Sequence, residues 1–229
     1  MVLQISDKQL TRARKRVRKT RTQTKRGRRS GVPLTGMMTG NAFGRSKVCK
    51  MVYFENTTLT STAGTPQGYL WSHNSIYDAD VTGVGHQPYF YDQLDQLYKA
   101  YVVTGCKIEL EGAASSNVSV TIRPTTSAVL PSNLSLEGER PNSKRVFMTA
   151  TGGSKKISHY ISTANLFGRS KSCITDEDDF RGVGGNPAQR SYWAVCIQHA
   201  DGASTASIYF NVKLTFYVKW CNLKLLSQS

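Results

Sequence analysis

Ile208-Tyr209-Phe210-Asn211-Val212-Lys213-Leu214-Thr215-Phe216-Tyr217-Val218-Lys219-Trp220 is the stretch that decides the fold class. Ile208, Phe210, Val212, Leu214, Phe216, Val218 and Trp220 alternate without a break against Tyr209, Asn211, Lys213, Thr215, Tyr217 and Lys219. Successive side chains of a strand point to opposite faces, so the pattern predicts a long strand with one buried face. Working outward, Val102, Thr104, Cys106, Ile108 and Leu110 alternate in the same way against Val103, Gly105, Lys107 and Glu109. So do Val118, Val120 and Ile122 against Ser119, Thr121 and Arg123, and Trp193, Val195 and Ile197 mark another strand. Weaker runs at 48–60, 69–77, 144–149 and 155–162 bring the number to about eight. Helical spacing occurs at one place, 91–100, where Tyr91, Leu94, Tyr98 and Tyr101 recur after Pro88.

Eight strands with long, unequal connections predict an all-β fold, a single eight-stranded jelly-roll sandwich. The connections 78–100, 125–143 and 163–190 exceed the ~12–15 residues beyond which a loop usually has a role of its own, so they are expected to pack against other subunits. Asn41-x-Phe43-Gly44-Arg45-Ser46-Lys47-x-Cys49 recurs as Asn165-x-Phe167-Gly168-Arg169-Ser170-Lys171-x-Cys173. The echo predicts a glycine turn and two cations in similar settings; coincidence is the alternative.

Charge is distributed unevenly. Residues 1–30 hold 12 of the 30 lysines and arginines and one acid, Asp7, a net +11 of the chain's +15. These are Lys8, Arg12, Arg14, Lys15, Arg16, Arg18, Lys19, Arg21, Lys25, Arg26, Arg28 and Arg29. Such a segment repels itself and has little apolar surface to offset ordering, so it is expected to be a disordered arm that a polyanion neutralises. Ser6-Asp7-Lys8-Gln9 has capping-box form, which would let 7–19 turn helical once phosphates bind. A solvated tail or a nuclear import signal are the other uses of such a run, and import is compatible with nucleic-acid contact. The expected organisation is a basic arm at 1–30, a Gly-, Thr- and Met-rich linker at 31–46, and the sandwich at 47–229. Arg45 and Lys47 join the arm as candidate nucleic-acid contacts.

Enzyme chemistry is not expected. His73, His86, His159 and His199 have no ligand-like spacing with one another or with cysteine, so they read as core or edge residues and no metal site is predicted. The acidic run Asp176-Glu177-Asp178-Asp179 reads as a solvated loop, with calcium binding or an intersubunit ion pair as alternatives. Gly182-Val183-Gly184-Gly185-Asn186-Pro187 lacks the Lys-Ser/Thr of a phosphate loop, and no cofactor is expected. Tyr53, Tyr209 and Tyr217 sit inside strand patterns where packing accounts for them. Cys49, Cys106, Cys173, Cys196 and Cys221 are odd in number and form no C-x-x-C pair, which predicts free thiols. No stretch approaches 18 uncharged apolar residues, so no membrane partner is expected.

Gly85-His86-Gln87-Pro88-Tyr89-Phe90-Tyr91-Asp92-Gln93-Leu94, followed by Tyr98 and by Tyr101-Val102-Val103-Thr104-Gly105-Cys106-Lys107-Ile108, resembles capsid proteins of small circular Rep-encoding single-stranded DNA viruses, the circovirus-like group. A second similar block runs from Asn186-Pro187 into Tyr192-Trp193-Ala194-Val195 and then 208–223. The resemblance implies a jelly roll, a homo-oligomeric icosahedral shell of sixty copies, arms turned inward onto a circular single-stranded DNA genome, and a host import receptor that carries the chain to the nucleus. Sixty arms would bring about 660 net positive charges to that interior. A small RNA or satellite virus coat protein shares arm and sandwich, and a cellular jelly-roll nucleic-acid chaperone is the non-viral alternative.

Overall fold

The structure, a computed structural model, describes residues 44–224. The predicted arm at 1–30, its helix at 7–19 and the linker before Gly44 lie outside the described residues. Nine strands follow: β1 (Ser46–Ser61), β2 (Gln67–Ser72), β3 (Tyr98–Ala114), β4 (Val118–Thr125), β5 (Lys144–Met148), β6 (Lys155–Ser162), the two-residue β7 (Arg181–Gly182), β8 (Tyr192–His199) and β9 (Ala206–Leu223). They form two antiparallel sheets, ordered β1-β9-β3-β6 with β7 beside β3, and β2-β8-β4-β5. Strands successive in sequence fall mostly in opposite sheets, which is the connectivity of a jelly roll.

β9 is the centre of the first sheet because its alternation leaves one face wholly apolar. Ile208, Val212, Leu214, Phe216, Val218 and Trp220 are fully buried, and β9 pairs with β1 from Ser46↔Cys221 to Ser61↔Ala206 and with β3 along nearly its whole length. Facing them from the second sheet are Trp71, Val118, Val120, Ile122, Trp193, Val195 and Ile197, all without exposed surface. Each such side chain stabilises the fold by roughly 1.5–3 kcal/mol, so the two faces together hold the sandwich without disulfides. All five cysteines are free, and burial pushes the Cys106 and Cys196 thiols up to about 12.

Four sequence expectations need correction. The alternation predicted for 102–110 breaks at a β-bulge between Val103 and Gly105. Val103 and Cys106 therefore face the inter-sheet core, while Val102 faces the other way and packs with Ala164, Ile174 and Phe180. The run at 69–77 is a strand only to Ser72. Beyond it, buried His73, Asn74 and Ser75 turn to bond distant groups: the His73 N–H donates to the Ser191 carbonyl at 2.8 Å and Asn74 Nδ2 to the Gln189 carbonyl at 2.7 Å. The predicted helix at 91–100 stops at Leu97, because Tyr98 is extended (φ −116, ψ 149) and enters β3 opposite Leu223. Finally, the long connections carry helices of their own at Leu134–Glu139, Thr163–Phe167 and Lys171–Asp176, each started by a side-chain cap from Asn133, Ser162 and Ser170 respectively.

Two of these loops are fastened to the sheets. In the 125–143 connection, Glu137 is buried and paired with Arg123 of β4, with Arg140 Nε at 3.6 Å on its other oxygen. Pro131 of the same loop lies so close over Gly68 of β2 that a Cβ there would meet its carbonyl at 2.4 Å. The 163–180 segment covers Val102 through Ala164, Ile174 and Phe180, with Phe167 edge-on to Phe180 at 5.0 Å.

Candidate nucleic-acid interface

Of the fourteen predicted contact residues, Arg45 and Lys47 are described; the twelve from Lys8 to Arg29 lie outside the described residues. Both are exposed at the entry to β1, where Lys47 is opposite Trp220. The echo of this segment does not repeat its conformation. Ser46–Cys49 is extended strand, whereas Gly168 is left-handed (φ 63) between two helices and Ser170 caps the second. The similar setting expected for the two copies is therefore corrected, since β9 templates the first copy and local caps shape the second.

From its entry, β1 leads along a face that the sequence reading left to solvent and packing. The side of the β1-β9-β3-β6 sheet turned away from the core carries Lys50, Lys107, Lys156, Lys213 and Lys219 against Glu109 and Glu111. Cross-strand neighbours mix these cations with aromatic rings: Lys50 is opposite Tyr217, Phe54 opposite Lys213, and Lys107 opposite Tyr160. The Lys50 ammonium lies 5.5 Å from the Tyr217 ring centroid, and Tyr217 meets Tyr160 edge-to-face at 5.5 Å. Tyr209 is 67% exposed, Tyr160 51% and Phe54 48%, so packing explains Tyr53, which is buried, but not Tyr209. Glu109 is held by Lys156 at 2.9 Å and Lys107 at 3.1 Å, and the Lys156 bond first of all draws its carboxyl below the usual carboxylate range. Cations interleaved with open rings on a rigid sheet are the two elements of single-stranded nucleic-acid binding, phosphate attraction and base stacking. The signal in the sequence was the polar parity of β9, where Tyr209, Lys213, Tyr217 and Lys219 share one face.

The remaining candidates are dispersed. His73 is completely buried, with Nδ1 at 3.0 Å from Ser191 Oγ and Nε2 at 3.1 Å from the Ile161 carbonyl. His159 lies against Trp193 at 5.2 Å, His86 stacks on Tyr53 at 4.6 Å, and His199 pairs with Asp201 at 2.7 Å. Among the described residues, no group of three or more His, Cys, Asp or Glu is placed to hold a metal ion. Within the acidic run, Asp178 binds Arg181 at 2.6 Å and Glu177 meets Arg169 at 4.0 Å, while Asp176 and Asp179 are exposed. The long loops also present bare apolar side chains, namely Val84, Tyr89 and Phe90 in 78–100, Val129 and Leu130 in 125–143, and Val183 in 163–190. Phe90 is left-handed (φ 69), an unfavourable conformation for so bulky a residue.

Strand order and register define the class of fold, a two-sheet jelly roll with a cation-and-aromatic outer face. Among solved structures, the chain is similar to the 60-mer BFDV capsid protein at 10% identity, covering 82% of this chain and 100% of that one with a TM-score of 0.42. It is likewise similar to Desmodium yellow mottle tymovirus (11% identity, 83% and 94% covered, TM-score 0.39) and to Cucumber leaf spot virus (10%, 80% and 56%, 0.44). No protein-family model and no curated protein matches the chain.

Proposed function

We propose that the chain is a capsid protein, not an enzyme, whose copies close into a small icosahedral shell around nucleic acid. The observation that carries this reading is the pairing of charge with scaffold: +11 within thirty residues, connected to a jelly roll that opens on a lysine- and tyrosine-lined sheet face. Arm cations release counterions as they neutralise phosphate, so packaging is electrostatic and largely indifferent to sequence. The bare apolar side chains of the 78–100 and 163–190 loops fit contacts between copies. The circovirus-like resemblance supports sixty copies, circular single-stranded DNA as cargo, and import to the host nucleus through Arg12, Arg14, Lys15, Arg16, Arg18, Lys19, Lys25, Arg26, Arg28 and Arg29.

Deleting residues 1–30 tests the reading directly. The truncated chain is expected to assemble into particles that hold little nucleic acid, measured by the 260/280 nm ratio of particles purified by sedimentation. Truncated particles with unchanged cargo would remove the arm from the model, and full-length protein that forms no closed particles at any salt or pH would remove the capsid. Digesting released cargo with DNase or RNase assigns its chemistry.

A further inference from the structure

A cavity of about 320 Å³ opens beside the lysine-and-tyrosine face, lined by Thr104 of β3, Tyr160 and Ser162 of β6, and Ala164, Lys171, Ile174 and Thr175 of the segment that follows. Its chemistry is divided. Ala164 and buried Ile174 supply apolar surface, and Tyr160 supplies a half-exposed ring. That ring is fixed in place: its hydroxyl lies 2.8 Å from where a Cβ on Gly105 would stand, and Tyr217 braces it edge-on at 5.5 Å. Most hydroxyls are engaged. Thr104 Oγ1 donates to the Tyr217 carbonyl at 3.0 Å, and Ser162 Oγ accepts from the Asn165 N–H at 3.2 Å, leaving the Ser162 proton to donate.

The cations nearby are not equivalent. Lys107 and Lys156 are tied to Glu109, Arg169 to Glu177 and Arg181 to Asp178. Lys171 is exposed, and among the described residues no acid lies within ion-pair distance of it. A slot with apolar walls, an open ring on Tyr160, a hydroxyl donor on Ser162 and an unpaired ammonium on Lys171 matches one nucleotide unit: a base on the ring and a phosphate on the lysine.

We propose that this cavity is a nucleotide subsite, in which Tyr160 stacks an unpaired base of the enclosed strand and Lys171 binds its phosphate. The proposal rests on the nucleic-acid reading above and adds a structured contact separate from the arm. With so few donors free, the site takes any base.

Full-length protein titrated into a short single-stranded oligonucleotide containing one 2-aminopurine tests it. Stacking on Tyr160 quenches the fluorescent base. Tyr160→Phe is expected to keep the quench, and Tyr160→Leu to lose it with a ~5- to ~150-fold weaker affinity. Lys171→Gln, at an exposed position, is expected to lower the salt slope of binding by about one while leaving the quench in place. An unchanged quench in Tyr160→Leu with native circular dichroism, or an unchanged salt slope in Lys171→Gln, overturns the subsite. If the wild-type protein binds no oligonucleotide at all, the nucleic-acid reading itself falls.

Discussion

At the scale of single residues, the most consequential side chain is His73. It is sealed between the end of β2, Ser191 and the Ile161 carbonyl, with Trp193 edge-on at 5.4 Å and His159 as its titratable neighbour. Burial above all lowers its pKa from the ordinary 6.5 to about 4, so the native ring stays neutral where the unfolded ring takes a proton. A depressed folded-state pKa means that this contribution is complete above pH ~6.5 and is lost as pH falls toward 4, about 3 kcal/mol across that window. His159, also lowered mainly by burial, acts in the same direction. Urea unfolding of unassembled protein at neutral and acid pH is expected to show a markedly smaller acid loss for His73→Gln than for wild type; equal losses would contradict the assignment. The sequence marked this histidine as a core or edge residue and held no sign of its partners, because Ser191 and Ile161 are 118 and 88 residues away.

At the scale of elements, long periodic strands were legible and short capped ones were not. β9, β4, β6 and β8 lie where alternation placed them, since each buries one face on the other sheet. The three helices in the long connections have five or six residues, too few to display a period, and depend on caps and tertiary contacts. Leu134–Glu139 is the clearest case, because its buried Glu137 pairs with Arg123, a residue that alternation alone assigned to the polar side of β4. Breaking a buried pair leaves the other charge stranded at a cost of roughly 3–5 kcal/mol. Glu137→Gln is therefore expected to lower the urea midpoint and to speed proteolysis within 126–133, where the loop would lift from β4. A variant with wild-type stability would show that Arg123 finds water instead.

At the scale of the whole molecule, two cationic regions divide the work under the proposed function. The arm was plain in the sequence from charge density alone, whereas the sheet face was not, because its lysines and tyrosines come from β1, β3, β6 and β9 and meet only after folding. The two should respond differently to salt. Arm contacts are purely ionic and weak singly, with strength from many copies, so they fade steeply as salt rises. Stacking of bases on the face neutralises no phosphate and releases no counterion, so that part of the binding is far less sensitive. Particles washed in increasing salt are thus expected to lose nucleic acid in two stages, a steep one and a salt-tolerant remainder, read by absorbance. A single transition in full-length particles would mean that the face contributes nothing.

The bulge between Val103 and Gly105 makes the chain's tolerance of insertions and deletions a matter of odd and even. Removing one residue there would restore an unbroken ladder and rotate the start of β3 half a turn about its axis, moving Val102 into the inter-sheet core and turning Tyr101 and Val103 out of it. The Ala164, Ile174 and Phe180 cluster would lose its strand residue, and the cavity beside Tyr160 would lose the part of its wall that Thr104 supplies. A lesion of one amino acid would thus misassign both faces of the sheet at once.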